Sequence, residues 1–337
     1  MQRTKEIVFK VPDLISLTPF PWIGCNPLYS CIDRESTKWM GSHGVLSNAK
    51  QAQLVATQTE LLGAYVYPYA DINGLHIASD FLTILFALDE VTDDQDTKEA
   101  LATRDTFVKA LTGESNDDTS PIAILTRDFM SRLSGVSNEL LKRFIAHFVE
   151  YIDATVREAG NRTDGKIPTF EEHLRLRRDN GGLFSTFDIS EVALGITLPP
   201  EIFVDSNFQS IVLAANDMIS YSNDIYSYAK EVMDGVESCN SITILMHSKG
   251  LSHQEAIDEV GELYKDCADT IVACKAAMRS FGPYVDELAY NYVHGLEQWI
   301  CGHNSWSLLT RRFFGEETEE VIRTSVVRFN CGNLLNR

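Results

Sequence analysis

The chain predicts an all-α fold: one domain of roughly ten to twelve helices around an apolar cavity, too large for a simple four-helix bundle. Three observations carry this. Apolar residues recur at helical spacing almost everywhere from about Ser47 onward. Polar, Gly- or Pro-containing stretches cut that pattern into helix-length pieces. Convincing period-two alternation, internal repeats and low-complexity tracts are all missing.

In chain order, residues 1–30 carry Pro12, Pro19, Pro21 and Pro27. These forbid a continuous helix and predict an extended arm laid over the body. Helices are expected over residues 48–67, 75–94, 97–111, 121–134, 137–160, 170–180, 208–233, 252–281 and 283–300, some of them broken, with residues 315–337 as a C-terminal tail. The separators are Thr112 to Pro121, Gly160 to Pro168 and Asp234 to Asn240. Gly181-Gly182 interrupts a region where helical spacing continues on both sides; a break there exposes backbone groups to a ligand or makes an ordinary turn.

No linker or composition shift divides the 337 residues. A net charge of −19 argues against a nucleic-acid partner and against an anionic membrane surface, since both need a basic face. Seven cysteines, odd in number and without a C-x2-C pair, read as free thiols in a reducing compartment. The N-terminus lacks the apolar core of a signal peptide, and no run of about 18 apolar residues stands out, so a cytoplasmic protein without membrane insertion is expected.

The stretch Asn223-Asp224-Ile225-Tyr226-Ser227-Tyr228-Ala229-Lys230-Glu231 carries the chemistry. On a helix Asn223, Ser227 and Glu231 stack at i, i+4 and i+8 along a stripe about 80° wide. An amide oxygen, a hydroxyl and a carboxylate make a hard oxygen set of the kind Mg²⁺ takes. The plain alternative is a solvated polar face. Against it, the apolar run from Phe208 to Ala215 precedes the stripe and Gly235 offers a C-cap, so the stripe falls in the last turns of a mostly buried helix. There the helix dipole disfavours Glu231 unless a cation is present.

A second apolar helix runs from Asp80 into Asp89-Glu90-Val91-Thr92-Asp93-Asp94. Asp89 stands above Asp93 and Glu90 above Asp94, and such like-charge pairs cost a few tenths of a kcal/mol that divalent cations would remove. Facing each other, the two acidic ends leave room for a diphosphate between metal ions. Cationic donors for it are sought among Arg177, Arg178, Lys230, Arg311 and Arg312, each also readable as a surface ion pair.

Asp89-Glu90-x-x-Asp93 with Asn223-Asp224-x-x-Ser227-x-x-Lys230-Glu231 resembles the two metal motifs of class I terpene synthases, in the microbial (fungal or bacterial) single-domain sesquiterpene branch. The resemblance implies that Asp89, Glu90, Asp93, Asn223, Ser227 and Glu231 bind Mg²⁺, expected as three ions. It makes Arg177, 46 positions before Asn223, the diphosphate sensor, and Gly181 the site of a helix break with an effector carbonyl. Lys230, Arg312 and Asn180 join the diphosphate set, with Asn180 standing where many relatives have Asp. Trp306-Ser307-x-x-Thr310-x-Arg312-Phe313 is similar to a C-terminal segment that usually ends in Arg-Tyr, and Phe313 lacks that hydroxyl. The implied activity is metal-triggered ionisation of farnesyl diphosphate, then cyclisation of the carbocation by a monomer or homodimer. Phe86, Trp306 and Phe313 are the aromatic candidates for the cavity, with core packing as the alternative for each.

A chain-elongating prenyltransferase would carry a second Asp-rich motif where this chain has Asn, Ser and Glu. An all-α nucleotide pyrophosphohydrolase would need a polar base pocket, whereas the turns before both motifs are apolar. An isoprenoid-binding protein without catalysis would not need the complete ligand sets.

Overall fold

Capping chemistry explains where many of the helices start. Asp96, Thr169 and Ser252 each form a reciprocal capping box with Glu99, Glu172 and Glu255, satisfying two otherwise unpaired backbone donors apiece. Residues 5–92, 95–114, 117–164 and 167–331 are described by the structure, which is a computed structural model. The elements are β1 (Lys5–Lys10), α1 (Leu14–Leu17), α2 (Tyr29–Ile32), α3 (Glu35–Ser42), α4 (Asn48–Thr57), α5 (Thr59–Val66), α6 (Ile72–Thr92), α7 (Thr97–Thr112) and α8 (Pro121–Arg132). They continue as α9 (Asn138–Asp164), α10 (Phe170–Asn180), α11 (Leu183–Leu194), α12 (Ser206–Asp234), α13 (Ser241–Lys249), α14 (His253–Ala277), α15 (Pro283–Leu309), α16 (Thr318–Thr324) and β2 (Val326–Cys331). The fold is all-α apart from one small sheet, as expected.

That sheet corrects the expectation of no strands. β1 and β2 pair antiparallel with Ile7 opposite Phe329 and Phe9 opposite Val327. These four side chains are buried while Val8 is exposed, the alternation of a half-buried ribbon. Six residues give too short a pattern to read alone, and the partners lie at opposite ends of the chain. The arm and tail thus fold against each other, with short helices in both. The predicted helix 48–67 is two helices, because Gln58 adopts a left-handed φ of 57° between α4 and α5. The helix predicted to end at residue 300 runs on to Leu309.

α6 is apolar on every face and mostly enclosed. Phe81 packs against Phe129 of α8 and against Phe144 and Phe148 of α9, with ring centroids 5.0–5.6 Å apart. This helix is also long and apolar enough to cross a membrane by length and composition, which the sequence reading did not register, but 67% of its apolar window is buried within the protein. α12 begins with Asp205 accepting from the backbone N–H groups of Asn207 and Phe208 and ends at Gly235, φ 76°. α15 crosses α5 so closely that a Cβ on Gly302 would stand 2.3 Å from the Tyr65 carbonyl oxygen. Only glycine permits that crossing, and it seats the following residue, His303, at the inner wall.

Candidate active site

The last turns of α12 meet α10 through one arginine. Arg177 donates from Nη2 to Asn223 Oδ1 (2.8 Å), from Nε to Asp224 Oδ1 (3.0 Å) and from Nη1 to Asn180 Oδ1 (3.4 Å). Burial alone would raise the Asp224 carboxyl; Arg177, His173 and Ser241 together hold it down at about 2. Asp224 is therefore an ionised anchor for Arg177, which keeps the Asn223 side of the stripe in place.

One turn on, Ser227 Oγ is buried and has no hydrogen-bond partner among the described residues. It lies near enough to Glu231 to lower that carboxyl's proton affinity, yet without the geometry of a hydrogen bond. Glu231 Oε2 accepts from Asn240 Nδ2 (3.0 Å), whose other bond goes to the Asp224 carbonyl (2.9 Å). Burial, and secondarily the charge of Asp224, push the Glu231 carboxyl up to about 7. Asn240 also caps α13, so the Asp234 to Asn240 segment is a folded turn joined to the stripe.

Asp89, at the end of α6, opens on the same concavity. Its carboxylate is reachable by solvent but crowded by protein. That crowding and the charges of Glu158 and Glu90 raise it to about 6, against the pull of Arg312 and Arg177. Glu158 comes from α9, where it accepts from Asn180 Nδ2 at 3.0 Å and pairs with Arg162 at 3.3 Å. Asn180 thus links Arg177 to a carboxylate of α9. Lys50 donates to the Glu90 carbonyl, placing a cation at the C-terminal end of α6 where the helix dipole favours it. Asp93 lies outside the described residues.

Behind Asp89 and Arg177 a cavity of about 150 Å³ is lined by Leu62, Leu82, Leu85, Phe86, Tyr151 and Ile219, with Gly181, Trp299 and His303 also in its wall beside the polar Thr186 and Ser220. Gly181 and Gly182 break the path between α10 and α11. Gly182 has φ 64°, and a Cβ there would meet Leu85 at 3.0 Å. Trp306 and Phe313 stand one layer back: Trp306 packs 6.0 Å from Phe86 and 5.8 Å from Phe313, the latter edge-on. Trp299 and His303, about two turns and just under one turn earlier on α15, take the wall position expected of Trp306. Arg312 lies over the Phe86 ring at 4.9 Å and donates to Thr57 Oγ1 at 2.7 Å.

Of the other cations considered, Arg178 makes a two-pronged pair with Asp217 (2.7 and 2.8 Å), and Arg311 pairs with Glu316 at the surface. Lys230 pairs with Asp234 at 2.8 Å, one turn along the helix surface, and is not part of the cavity wall. Sequence reasoning passed over Glu158, Asn240, Trp299 and His303. Asn240 had a readable signal, a capping residue just before the apolar start of a helix. Glu158 had none, because its role arises only where α9 packs on α10.

Among the described residues no three His, Cys, Asp or Glu side chains form a metal group. The oxygen set here draws on an amide and a hydroxyl instead. A divalent cation held by Asn223, Ser227 and Glu231 would supply the partner that Ser227 Oγ lacks and offset the burial that protonates Glu231. The residues present fit the ion.

Residues 80–270 match the family model described as terpene synthase family 2, C-terminal metal binding. The chain is 34% identical over 322 residues to a bifunctional terpene synthase of Cyclocybe aegerita, covering 95% of this chain and 92% of that one. The chain belongs to the terpene synthase family. This terpene synthase is also 32% identical to sesquiterpene synthase 6 of Postia placenta (95% and 94% covered) and 33% identical to alpha-muurolene synthase of Coprinopsis cinerea (95% and 77%). Its fold matches hedycaryol synthase (TM-score 0.78, 24% identity, 88% and 98% covered) and the linalool/nerolidol synthase of Streptomyces clavuligerus (TM-score 0.78, 20% identity, 87% and 98%). As a terpene synthase it is a lyase acting on an isoprenyl diphosphate, with a divalent metal cofactor.

Proposed function

We propose that this terpene synthase is a sesquiterpene synthase that ionises farnesyl diphosphate and cyclises the resulting cation in the cytosol, with Mg²⁺, three ions in all, as the metal. The observation that carries the reading is the placement of Arg177, Asn223 and Asp89 at the polar mouth of a mostly apolar cavity, with Ser227 and Glu231 following Asn223 along α12. Metal ions held there would supply positive charge against the negative charge of the leaving diphosphate. Arg177 and Arg312 add fixed positive charge on the chain's own side, already oriented by Asp224 and by Thr57, so little reorganisation is needed as the carbon–oxygen bond breaks. Lys230 joins them by exchanging Asp234 for the diphosphate.

The freed allylic cation must be kept from water. Leucines, Phe86 and Trp299 line the cavity, and the aromatic faces attract positive charge. Arg312 against the edge of the Phe86 cluster keeps the diphosphate side distinct from the apolar side. At about 150 Å³ the cavity is below the roughly 300–1,000 Å³ of ordinary ligand sites, so substrate entry widens it. Incubating the protein with farnesyl diphosphate and Mg²⁺, then analysing a hexane extract, tests the reading. Cyclic hydrocarbon or alcohol is expected. With isopentenyl diphosphate added in a parallel incubation, a longer prenyl diphosphate in the aqueous phase would instead identify a chain-elongating enzyme, and untouched substrate in both incubations would contradict both readings.

A further inference from the structure

Ser222, the residue before the first metal candidate on α12, fixes the tautomer of a buried histidine. Its Oγ lies 3.0 Å from the Ile219 carbonyl oxygen and 3.0 Å from His303 Nδ1. A hydroxyl has a single proton, and a carbonyl can only accept. The Ser222 proton therefore goes to Ile219, and His303 must donate Nδ1–H to Ser222 Oγ. Nε2, on the opposite edge of the ring, is left with its lone pair and has no partner among the described residues.

Ser222, which holds Nδ1, is not among the residues of the cavity wall whereas His303 is, so the Nε2 edge is the one left to face the cavity. His303 is 5% exposed and lines the cavity between Trp299, stacked at 6.3 Å, and Trp306 at 6.1 Å. Burial and the charges of Arg177 and Arg312 lower its proton affinity and hold the imidazole neutral. Away from the carboxylates at the mouth, it offers a neutral nitrogen lone pair in a wall made mostly of apolar side chains, and a carbocation is acidic enough to give its proton to such a weakened base.

The geometry points to His303 Nε2 as the proton acceptor that ends the reaction, an inference that rests on the cyclase reading above. The proton leaves the carbon next to the cationic centre, and the electron pair of that C–H bond becomes the new double bond. Positive charge passes to the imidazole as Nε2–H forms. Burial and two arginines disfavour an imidazolium, so the proton moves on to the diphosphate, the co-product of ionisation, and His303 returns to its neutral tautomer. Fixing Nδ1–H on Ser222 keeps Nε2 the basic nitrogen in every turnover.

Two measurements test this together. Wild type, His303→Phe and His303→Gln are given farnesyl diphosphate and Mg²⁺, and each product is expressed as a share of diphosphate released. Phenylalanine keeps a planar ring of similar size without a base, so a packing role alone would preserve the products. We expect the share of the principal wild-type olefin to fall at least about tenfold in both variants, with isomeric olefins or alcohols replacing it. An unchanged share in either variant, or a wild type that makes mainly alcohol, overturns the proposal. The second measurement is ¹⁵N NMR of ring-labelled histidine in the wild-type protein, expected to show a protonated Nδ1 and a bare Nε2 for His303 at neutral pH. The opposite tautomer, or an imidazolium, overturns it without reference to any product. A wild type that releases no diphosphate defeats the cyclase reading, while the NMR result still reports on the histidine.

Discussion

Arg177 and Arg312 meet the site differently, and the contrast predicts different losses. Arg177 is locked to Asp224, so removing it leaves a buried carboxylate without its partner and costs stability as well as function, roughly 3–5 kcal/mol. Arg312 is held by Thr57 and aromatic faces, so Arg312→Ala should fold and lose about 10²-fold or more in turnover. Phe313→Tyr should alter turnover by less than about tenfold, since Phe313 sits behind Phe86 with its edge against Trp306. Steady-state kinetics on the two variants side by side check this, and equal losses would contradict it. Titration supplies a second residue-scale test. Glu231 holds its proton up to about 7 in the folded protein against an ordinary 4.5, so the folded state binds that proton more tightly than the unfolded chain. The stability it contributes is complete below pH 4.5 and is lost as pH rises to about 7. Asp224 runs the other way, losing its contribution only as pH falls toward 2, and is flat in this window. Without metal the melting temperature should therefore fall by a few degrees between pH 4.5 and 7. Added Mg²⁺, which needs the carboxylate form, should raise it more at pH 7.5 than at pH 5. Melting curves independent of both pH and Mg²⁺ would contradict the burial of Glu231.

Between α10 and α11 the two glycines separate folding from function. Gly182 is left-handed and closely faced by Leu85 and Tyr151, so Gly182→Ala should destabilise the protein by about 1–3 kcal/mol in urea denaturation. Gly181 has φ −73° and its nearest neighbour for a Cβ is 3.4 Å away, so Gly181→Ala should keep its stability and show its effect in turnover. Equal destabilisation of both variants would place the break wrongly. The two motif helices were legible because their cause is local: an apolar run, a polar stripe at i, i+4 and i+8, and a glycine cap all lie within one stretch of α12. Arg177 was one of five cationic candidates in the sequence and was singled out by the resemblance; its bonds to Asn223 and Asp224 arise from the packing of α10 on α12. Glu158, Trp299 and His303 were not legible. Each is an ordinary residue on an amphipathic or apolar helix until α9 and α15 are packed against α10 and α12. The split at Gln58 was also hidden, since no glycine or proline marks it.

At the scale of the whole molecule, β1 and β2 brace α12 from behind. Phe9 of β1 is 2% exposed and packs on Tyr228, next to Ser227, and on Phe329 of β2. Phe9→Ala should cost about 3–5 kcal/mol of stability, read from denaturant unfolding, although Phe9 does not line the cavity. The β1 and β2 pairing escaped the sequence reading because its partners are six-residue strands at opposite ends of the chain. The acidic surface, by contrast, bears on function: an overall charge of −19 repels a diphosphate unless cations are concentrated at one mouth. Holding that anion through metal-bound Asn223, Ser227 and Glu231, with Arg177 beside them, is the central claim. Its most direct test is the rate of diphosphate release from farnesyl diphosphate by wild type and by Glu231→Gln as Mg²⁺ is titrated from an EDTA-treated start. Wild type should be inactive in EDTA and rise saturably with Mg²⁺, while Glu231→Gln should stay at least about 10²-fold lower at every concentration. Release at the full wild-type rate in EDTA, or an identical Mg²⁺ dependence in the variant, would contradict it.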